Sequence, residues 1–160
     1  MSVPTAWLAS PTEAEPVAAL LVEFRDHLGR GWPSDNAFLA GVERLLGDGG
    51  TEYLLAASDP DSPPAGVCQL RYRWGLWHAA PDCCLEDLYV RPQARRRGIA
   101  AALVSGSLAH ARGRGCRRIE LDVNRANPAA MALYERFGFS AGAEVPGGEN
   151  LLMRRGIEGA

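Results

Sequence analysis

The residues best suited to chemistry form a short basic turn, residues 95–100, with the sequence RRRGIA. The turn stands where an apolar stretch ending at Val90 gives way to a helical pattern. The first turn of a helix presents unpaired N–H groups and the positive end of the helix dipole, and both attract anions. Gly98 lets a bulky anion approach the backbone, and the arginines add charge-assisted donors. Taken alone, the turn predicts either a phosphate site or an ordinary solvated basic loop.

Hydrophobic periodicity predicts the elements that position this turn. The N-terminal half comprises a short strand and two helices, followed by three strands: Val3 to Leu8; Ser10 to Leu28 and Ser34 to Leu46; then Glu52 to Ala57, Gly66 to Trp74 and Cys83 to Val90. The C-terminal half comprises a helix, a strand, a helix and two closing strands: Gly98 to Ala111; Arg118 to Val123; Pro128 to Phe137; Phe139 to Ala143 and Leu151 to Arg154. The order β-α-α-β-β-β-α-β-α-β-β predicts a mixed α/β sheet with helical crossovers.

Composition limits the possible functions. The chain has 160 residues, 47% of them hydrophobic, and a net charge of -2, so we expect one globular domain over residues 1–160 and no bias toward nucleic acid or membrane. All 17 basic residues are arginine, so there is no lysine amine to acetylate or to act as a base. The four cysteines form no CxxC pair, and no metal site is expected. Without a signal-like N-terminus or an apolar span, a cytoplasmic protein is predicted.

Two motifs together resemble the GNAT acetyltransferase superfamily. The turn matches its cofactor motif through Arg95, Gly98 and Ala100, the last standing where glycine is also accepted. Residues 124–139 are similar to its second block, in which an asparagine, Asn127, precedes a helix that carries Tyr134 and ends in a Phe-Gly-Phe turn. Residues 85–87, Leu-Glu-Asp, resemble the spermidine/spermine or thialysine acetyltransferase branch. The resemblance covers roughly the C-terminal half and implies a mostly antiparallel sheet flanked by helices.

The resemblance implies transfer of the acetyl group of acetyl-CoA to a primary amine by direct attack. The acceptor would be a small molecule or a protein N-terminus. Acetyl-CoA would lie between the strand from Cys83 to Val90 and the strand from Arg118 to Val123, with its extended pantetheine arm on a strand edge. The implied cofactor-binding residues are Leu88, Tyr89, Val90, Arg95, Arg96, Arg97, Gly98, Ile99, Ala100, Ala101, Asn127 and Tyr134.

Glu86 is the candidate general base. In a regular strand it alternates with Leu88 and shares its face, while Asp87 points to the other face and is expected to be structural. A carboxylate on a buried strand is costly unless it is used, and it could take a proton from an ammonium directly or through water. The alternative is a salt bridge from Glu86 to an arginine.

Tyr134 is the candidate general acid, because the family places a tyrosine where it faces the cofactor sulfur, and a phenol can donate to a departing thiolate. Packing beside Leu133 and Phe137 is the alternative for Tyr134. For Asn127, a helix N-cap before Pro128 is physically sufficient and is compatible with a role near pantetheine.

The residues that line the acceptor pocket are the part of the site that the sequence defines least. The two N-terminal helices and the strands around residues 72–77 should build it, with acidic and aromatic side chains suited to a cationic amine: Glu23, Asp26, Trp32, Asp35, Tyr72, Trp74 and Trp77. The competing functions are a non-catalytic acyl-CoA sensor, and nucleic-acid binding through residues 91–97, against which the acidic net charge argues. A homodimer is expected from the resemblance alone.

Overall fold

A computed structural model describes residues 3–142, 148 and 151–159. The chain divides into two compact units, Met1–Asn124 and Arg125–Ala160. That the whole chain works as one domain stays a prediction. Among the described residues, no helix has the length and apolar character that crossing a bilayer requires.

The first unit contains five strands and three helices. The strands are β1 (Thr5–Leu8), β2 (Thr51–Ala57), β3 (Gly66–Gly75), β4 (Ala80–Val90) and β5 (Arg118–Leu121). The helices are α1 (Ala14–His27), α2 (Asp35–Leu46) and α3 (Ile99–Gly113). The second unit contains α4 (Pro128–Arg136). Up to α4, this is the predicted order.

The strands form one sheet in the order β1-β2-β3-β4-β5. The first three pairings are antiparallel, and only β4 and β5 run parallel. The parallel pair follows from the connection, because a strand that returns through a crossover helix such as α3 re-enters the sheet in the same direction. The predicted mixed, mostly antiparallel sheet flanked by helices is therefore confirmed.

Each face of the sheet buries its own cluster of side chains. One cluster joins α1 and α2 to Tyr53, Leu55, Val67 and Tyr89. The other joins α3 to alternate positions of the same strands: Leu54, Ala56, Cys68, Leu70, Cys83, Leu85 and Val90. Burial on both faces explains why the central strands read as nearly continuous apolar runs. We refer to the two sides as the α1/α2 face and the α3 face.

Local capping signals set the ends of α1 and α2. Ser34 caps α2 by accepting a bond from the Ala37 backbone N–H at 3.2 Å. Gly29 follows α1 in the left-handed conformation, with φ of +70°. Ahead of α1, residues 11–13 form a 3-10 turn, and a capping box joins Ser10 and Glu13 at its start.

A β-bulge interrupts β4 beside the predicted base. Glu86 lies opposite Gln69 and Tyr89 opposite Val67, so Asp87 and Leu88 together face the single residue Cys68. Asp87 takes up the extra length with φ of +54°, a left-handed conformation that aspartate tolerates better than most residues. The bulge reverses the alternation of side chains. Glu86 and Leu88 therefore do not share a face, contrary to the sequence prediction.

The two predicted closing strands are wrong for the residues described. Residues 139–142 and 151–154 have no strand structure, and Ala143 lies outside the described residues. A strand must pair its backbone N–H and C=O groups with a neighbour. Within residues 125–142, 148 and 151–159, the second unit offers only α4 and irregular segments. Leu151, Leu152 and Met153 are accordingly exposed rather than packed on a sheet.

Candidate functional site

The basic turn ends in a helix start that no side chain caps. Gly98 is the N-cap of α3, with φ of +82°, and it offers no capping group. At the corresponding positions of α2 and α4, Ser34 and Asn127 each accept a backbone N–H. The first N–H groups of α3 therefore keep their hydrogen-bonding capacity for an anion.

The turn is anchored by the buried residue Ile99 and carries exposed basic residues. Ile99 is 1% exposed and packs so closely on β3 that a Cβ on Gly66 would lie 2.7 Å from its Cγ2. The four preceding residues, 95–98, are exposed. Arg95 is held back toward the strand, since its Nε donates to the Val90 carbonyl at 3.1 Å. A rigid base with exposed guanidinium groups suits a diphosphate.

The end of β4 has an open edge beside this turn. Pairing with β5 stops at Leu85 opposite Leu121, while β4 continues to Val90. The Arg91 N–H donates toward β3, to the Ala65 carbonyl at 2.9 Å. Because hydrogen-bonding directions alternate along a strand, the backbone groups of Val90 point to the side where β5 has ended. An extended chain of amides could pair with this edge.

Glu86 lies on the α1/α2 face, half-buried. Its Oε2 accepts a hydrogen bond from Gln69 Nε2 at 3.1 Å. Among the described residues Glu86 makes no ion pair, which removes the salt bridge that the sequence left open. The sequence did not single out Gln69 as a partner. The available signal was one amide within the buried run Val-Cys-Gln-Leu of β3.

Asp87 stands beside Glu86 in a recess. Its side chain reaches solvent, yet desolvation by the surrounding protein raises the pKa of its carboxyl group. Burial first, and the Asp87 carboxylate second, raise the pKa of Tyr53 to about 12. Tyr53 is therefore shielded from bulk water, and hydrogen bonds act more strongly in such an environment.

The structure separates the predicted walls of the acceptor pocket. On α1, Glu23 is paired with Arg91 at 2.8 Å, and Asp26 with Arg25 at 2.8 Å. Asp35 also binds Arg25, at 2.8 Å, so each of these three acids has an ion-pair partner nearby. Trp32, between α1 and α2, is exposed. An aromatic pair does form on this face, where Phe24 stacks on Tyr89 with ring centroids 5.2 Å apart.

The remaining predicted wall residues lie elsewhere. Trp74 is opposite Pro81 near the β3–β4 turn, about 16 Å along the strand from Glu86. Trp77 lies in the turn itself and is exposed. Tyr72 packs on the α3 face and donates to Glu52 at 2.5 Å. These three aromatic residues do not surround Glu86. Trp74 and Trp77 lie at the far end of β4, and Tyr72 lies on the opposite face of the sheet.

The second unit holds the other predicted catalytic residue. Asn127 caps α4 by accepting the Ala130 N–H at 3.1 Å, with Pro128 as the first helical residue. The N-cap reading of Asn127 is thus confirmed. Tyr134 is 8% exposed and makes an edge-on contact with Phe139, with ring centroids 5.8 Å apart. Its packing role is therefore present, and its role as an acid stays a prediction.

No group of three or more His, Cys, Asp or Glu side chains with metal-binding geometry occurs within residues 3–142, 148 and 151–159. All four cysteines are free thiols.

Comparison with known proteins connects this geometry to one family. A family model described as Acetyltransferase (GNAT) family matches residues 16–139. Over 98 residues the chain is 35% identical to aminoglycoside N(6')-acetyltransferase type 1 of Klebsiella aerogenes, covering 58% of this chain and 62% of that protein. It is 35% identical over 142 residues to mycothiol acetyltransferase of Salinispora arenicola, covering 84% of this chain and 40% of that protein.

The predicted thialysine branch is also represented. Thialysine N-epsilon-acetyltransferase of Caenorhabditis elegans is 39% identical over 72 residues, which cover 45% of this chain and 44% of that protein. The chain thus spans less than two thirds of the length of each of these three relatives.

Solved structures extend the likeness to nearly the whole chain. A candidate acetyltransferase from Arthrobacter sp. FB24 superposes with a TM-score of 0.84 at 29% identity, covering 98% of this chain and 97% of that one. AAC(6')-Iy, solved with a bisubstrate analog of CoA and acetylneamine, gives a TM-score of 0.76 at 23% identity, with 98% and 100% coverage. At 23% identity, the likeness to AAC(6')-Iy concerns the fold alone.

Proposed function

Because the chain belongs to the acetyltransferase (GNAT) family, whose members use acetyl-CoA, we propose that it is an N-acetyltransferase acting on a small primary amine. The observation that carries the proposal is the uncapped start of α3 next to the open end of β4. The first feature suits the diphosphate of acetyl-CoA, and the second suits its pantetheine arm.

The cofactor contacts divide between side chains and backbone. Arg95, Arg96 and Arg97 would neutralise the diphosphate, and the amides of residues 98–101 would donate to its oxygens. Backbone groups of Leu88, Tyr89 and Val90 would bind the pantetheine amides. An N–H near Leu88 could also stabilise negative charge that develops on the thioester oxygen. Asn127 would contribute near the same arm.

The proposed reaction is direct attack of the amine on the thioester carbon. The new C–N bond forms as the C–S bond breaks, and CoA leaves as a thiolate. Only a neutral amine has the lone pair for this attack, so Glu86 would take a proton from the ammonium, directly or through water. Tyr134 would give a proton to the departing thiolate. As the amide forms, its nitrogen gives up a second proton, which restores the hydroxyl of Tyr134. The products are the acetylated amine, CoA as its thiol and one proton, which Glu86 passes to solvent.

Tyr134→Phe tests the acid. We expect kcat to fall about tenfold or more, because the thiolate would leave without a positioned donor. Acetyl-CoA affinity, measured by calorimetry, should stay near the wild-type value, since the phenyl ring keeps the contact with Phe139. A wild-type kcat across the pH range would contradict the role of Tyr134.

An amine panel tests the activity itself. Aminoglycosides, polyamines, thialysine, free amino acids and a peptide with a free N-terminus would each be incubated with acetyl-CoA while CoA release is followed. We expect turnover with at least one small amine. The names of the relatives make an aminoglycoside and thialysine the first compounds to test. Tight acetyl-CoA binding with no turnover on any amine would instead favour the non-catalytic sensor.

The proposal also includes a cytoplasmic homodimer that binds neither nucleic acid nor membrane. Its support is the resemblance to the family and the acidic net charge of -2.

A further inference from the structure

We propose that Gln69 and Tyr53 form a buried hydrogen-bond relay that orients the Glu86 carboxylate. The inference rests on the proposed function, in which Glu86 is the base. Gln69 and Tyr53 are positioning residues in this scheme, since they act through Glu86 and not on the substrate.

The relay crosses three neighbouring strands in a straight line. The Tyr53 hydroxyl on β2 donates to Gln69 Oε1 on β3 at 2.6 Å. Gln69 Nε2 donates to Glu86 Oε2 on β4 at 3.1 Å. Tyr53 is the direct register partner of Gln69, and Gln69 is the direct partner of Glu86. Opposite residues on one face of a sheet have adjacent side chains, so the backbone itself brings the three groups together.

Burial makes the relay obligatory for its inner members. Tyr53 is 1% exposed and Gln69 is 5% exposed, and each would carry a desolvation cost without a partner. A carboxylate can only accept hydrogen bonds, so the amide N–H of Gln69 must face Glu86. The amide oxygen then needs a donor, which Tyr53 provides. Because burial raises the pKa of Tyr53 to about 12, its hydroxyl keeps its proton at neutral pH.

The bond from Gln69 orients Glu86. It engages Oε2 and restricts rotation of the carboxyl group, so that Glu86 is held on the α1/α2 face. Tyr53 and Tyr89 pack on the same face, and Tyr89 follows Glu86 beyond the bulge at Asp87.

Cys84 is a second neighbour of Glu86 on β4. Burial, followed by the Glu86 carboxylate itself, raises the pKa of the Cys84 thiol to about 11, so this neighbour remains uncharged. A thiol is a weak donor, so the amide of Gln69 is the stronger hydrogen-bond donor to Glu86.

A double-mutant cycle tests the relay. Gln69→Met keeps the length of the side chain but removes the donor. We expect kcat to fall about tenfold while KM for the amine stays near the wild-type value, since a hydrogen bond that orients the base is lost. Acetyl-CoA affinity should not change. In a Glu86→Gln background the same substitution should cost nothing further, whereas equal losses in both backgrounds would overturn the relay.

Tyr53→Phe provides a second variant should Gln69→Met fold poorly. It should lower kcat in the same way but by less, because Gln69 keeps its own bond to Glu86. Tyr72→Phe is the matched control, since it removes a tyrosine–glutamate hydrogen bond on the opposite face of the sheet. The control should leave kcat unchanged. Identical losses of kcat in both tyrosine variants would overturn the relay.

Carbon-13 NMR of the glutamate carboxyl groups separates this inference from the proposed function. The Glu86 signal is assigned by its disappearance in Glu86→Gln, and its chemical shift is compared among the variants at one pH, without acetyl-CoA or amine. A signal that moves in Gln69→Met and stays in place in Tyr72→Phe supports the relay even if Glu86→Gln retains wild-type activity, in which case only the proposed base is wrong. A signal that does not move in Gln69→Met overturns the relay whatever the kinetics show.

Discussion

Gly98→Leu is expected to abolish acetyl-CoA binding under ordinary assay conditions. The dissociation constant should rise by on the order of 100-fold or more, the effect of losing two or three charge-assisted hydrogen bonds. Gly98 has φ of +82°, and a Cβ built there would lie 3.2 Å from Pro4 Cγ. A leucine side chain would therefore strain the turn and fill the space above the helix start. Isothermal titration with acetyl-CoA and with CoA measures the loss.

Gly115→Leu is the matched control for backbone strain. Gly115 follows the other end of the same helix with φ of +79°, and nothing lies within 4 Å of its added Cβ. Both variants carry a comparable conformational penalty of about 1–2 kcal/mol, visible as a lower unfolding midpoint. Only Gly98→Leu should lose the cofactor. If both bind acetyl-CoA as wild type does, the diphosphate assignment is wrong.

Glu86→Gln is expected to lower kcat by about 100-fold near neutral pH, within the usual range for a general base. The defect should be largest at low pH, where the acceptor is an ammonium and its proton must be removed. It should shrink as pH rises past the pKa of the amine, because the amine then arrives neutral. Steady-state kinetics from about pH 6 to 10 with the best amine of the panel measure this convergence.

Asp87→Asn controls for the loss of a negative charge. The two carboxylates are adjacent in sequence, and asparagine accepts the left-handed conformation that Asp87 adopts, so the bulge should persist. This variant should retain the pH dependence of the wild type. Equal defects in the two variants would mean that charge near the site, and not proton transfer by Glu86, governs the rate.

Local signals made most of the fold predictable. Ser34 and Gly29 fixed helix ends because a cap and a left-handed glycine act within one turn of chain. The parallel pairing of β4 with β5 followed from the intervening helix. The helix start at Gly98 was readable for the same reason, since its glycine and arginines stand next to each other in the sequence.

The bulge was not predictable, and it changed the site. Strict alternation placed Glu86 and Leu88 together, and nothing local in the sequence marks Asp87 as the residue that breaks the pattern. The cause is the register across β3 and β4, a contact between distant parts of the chain. Gln69 and Tyr53 were missed for the same reason, because their relation to Glu86 exists only once three strands have aligned.

Exposed apolar residues caused the wrong prediction at the C-terminal end. Residues 151–154, Leu-Leu-Met-Arg, have the composition of a strand, but composition does not supply a pairing partner. The roles of Asn127 and Tyr134 were predictable only in part. An asparagine before proline is a local signal for a helix N-cap, whereas the role of a tyrosine on a helix depends on the groups that face it.

The bulge in β4 puts Glu86 and Leu88, two residues apart in the sequence, on opposite faces of the sheet. Glu86 faces α1 and α2, where an incoming amine would meet it, whereas Leu88 and Val90 pack toward α3. Mutations on the acceptor side would therefore leave the packing of these two residues in place. One inserted residue would thus allow the substrate to change while the proposed acetyl donor is kept.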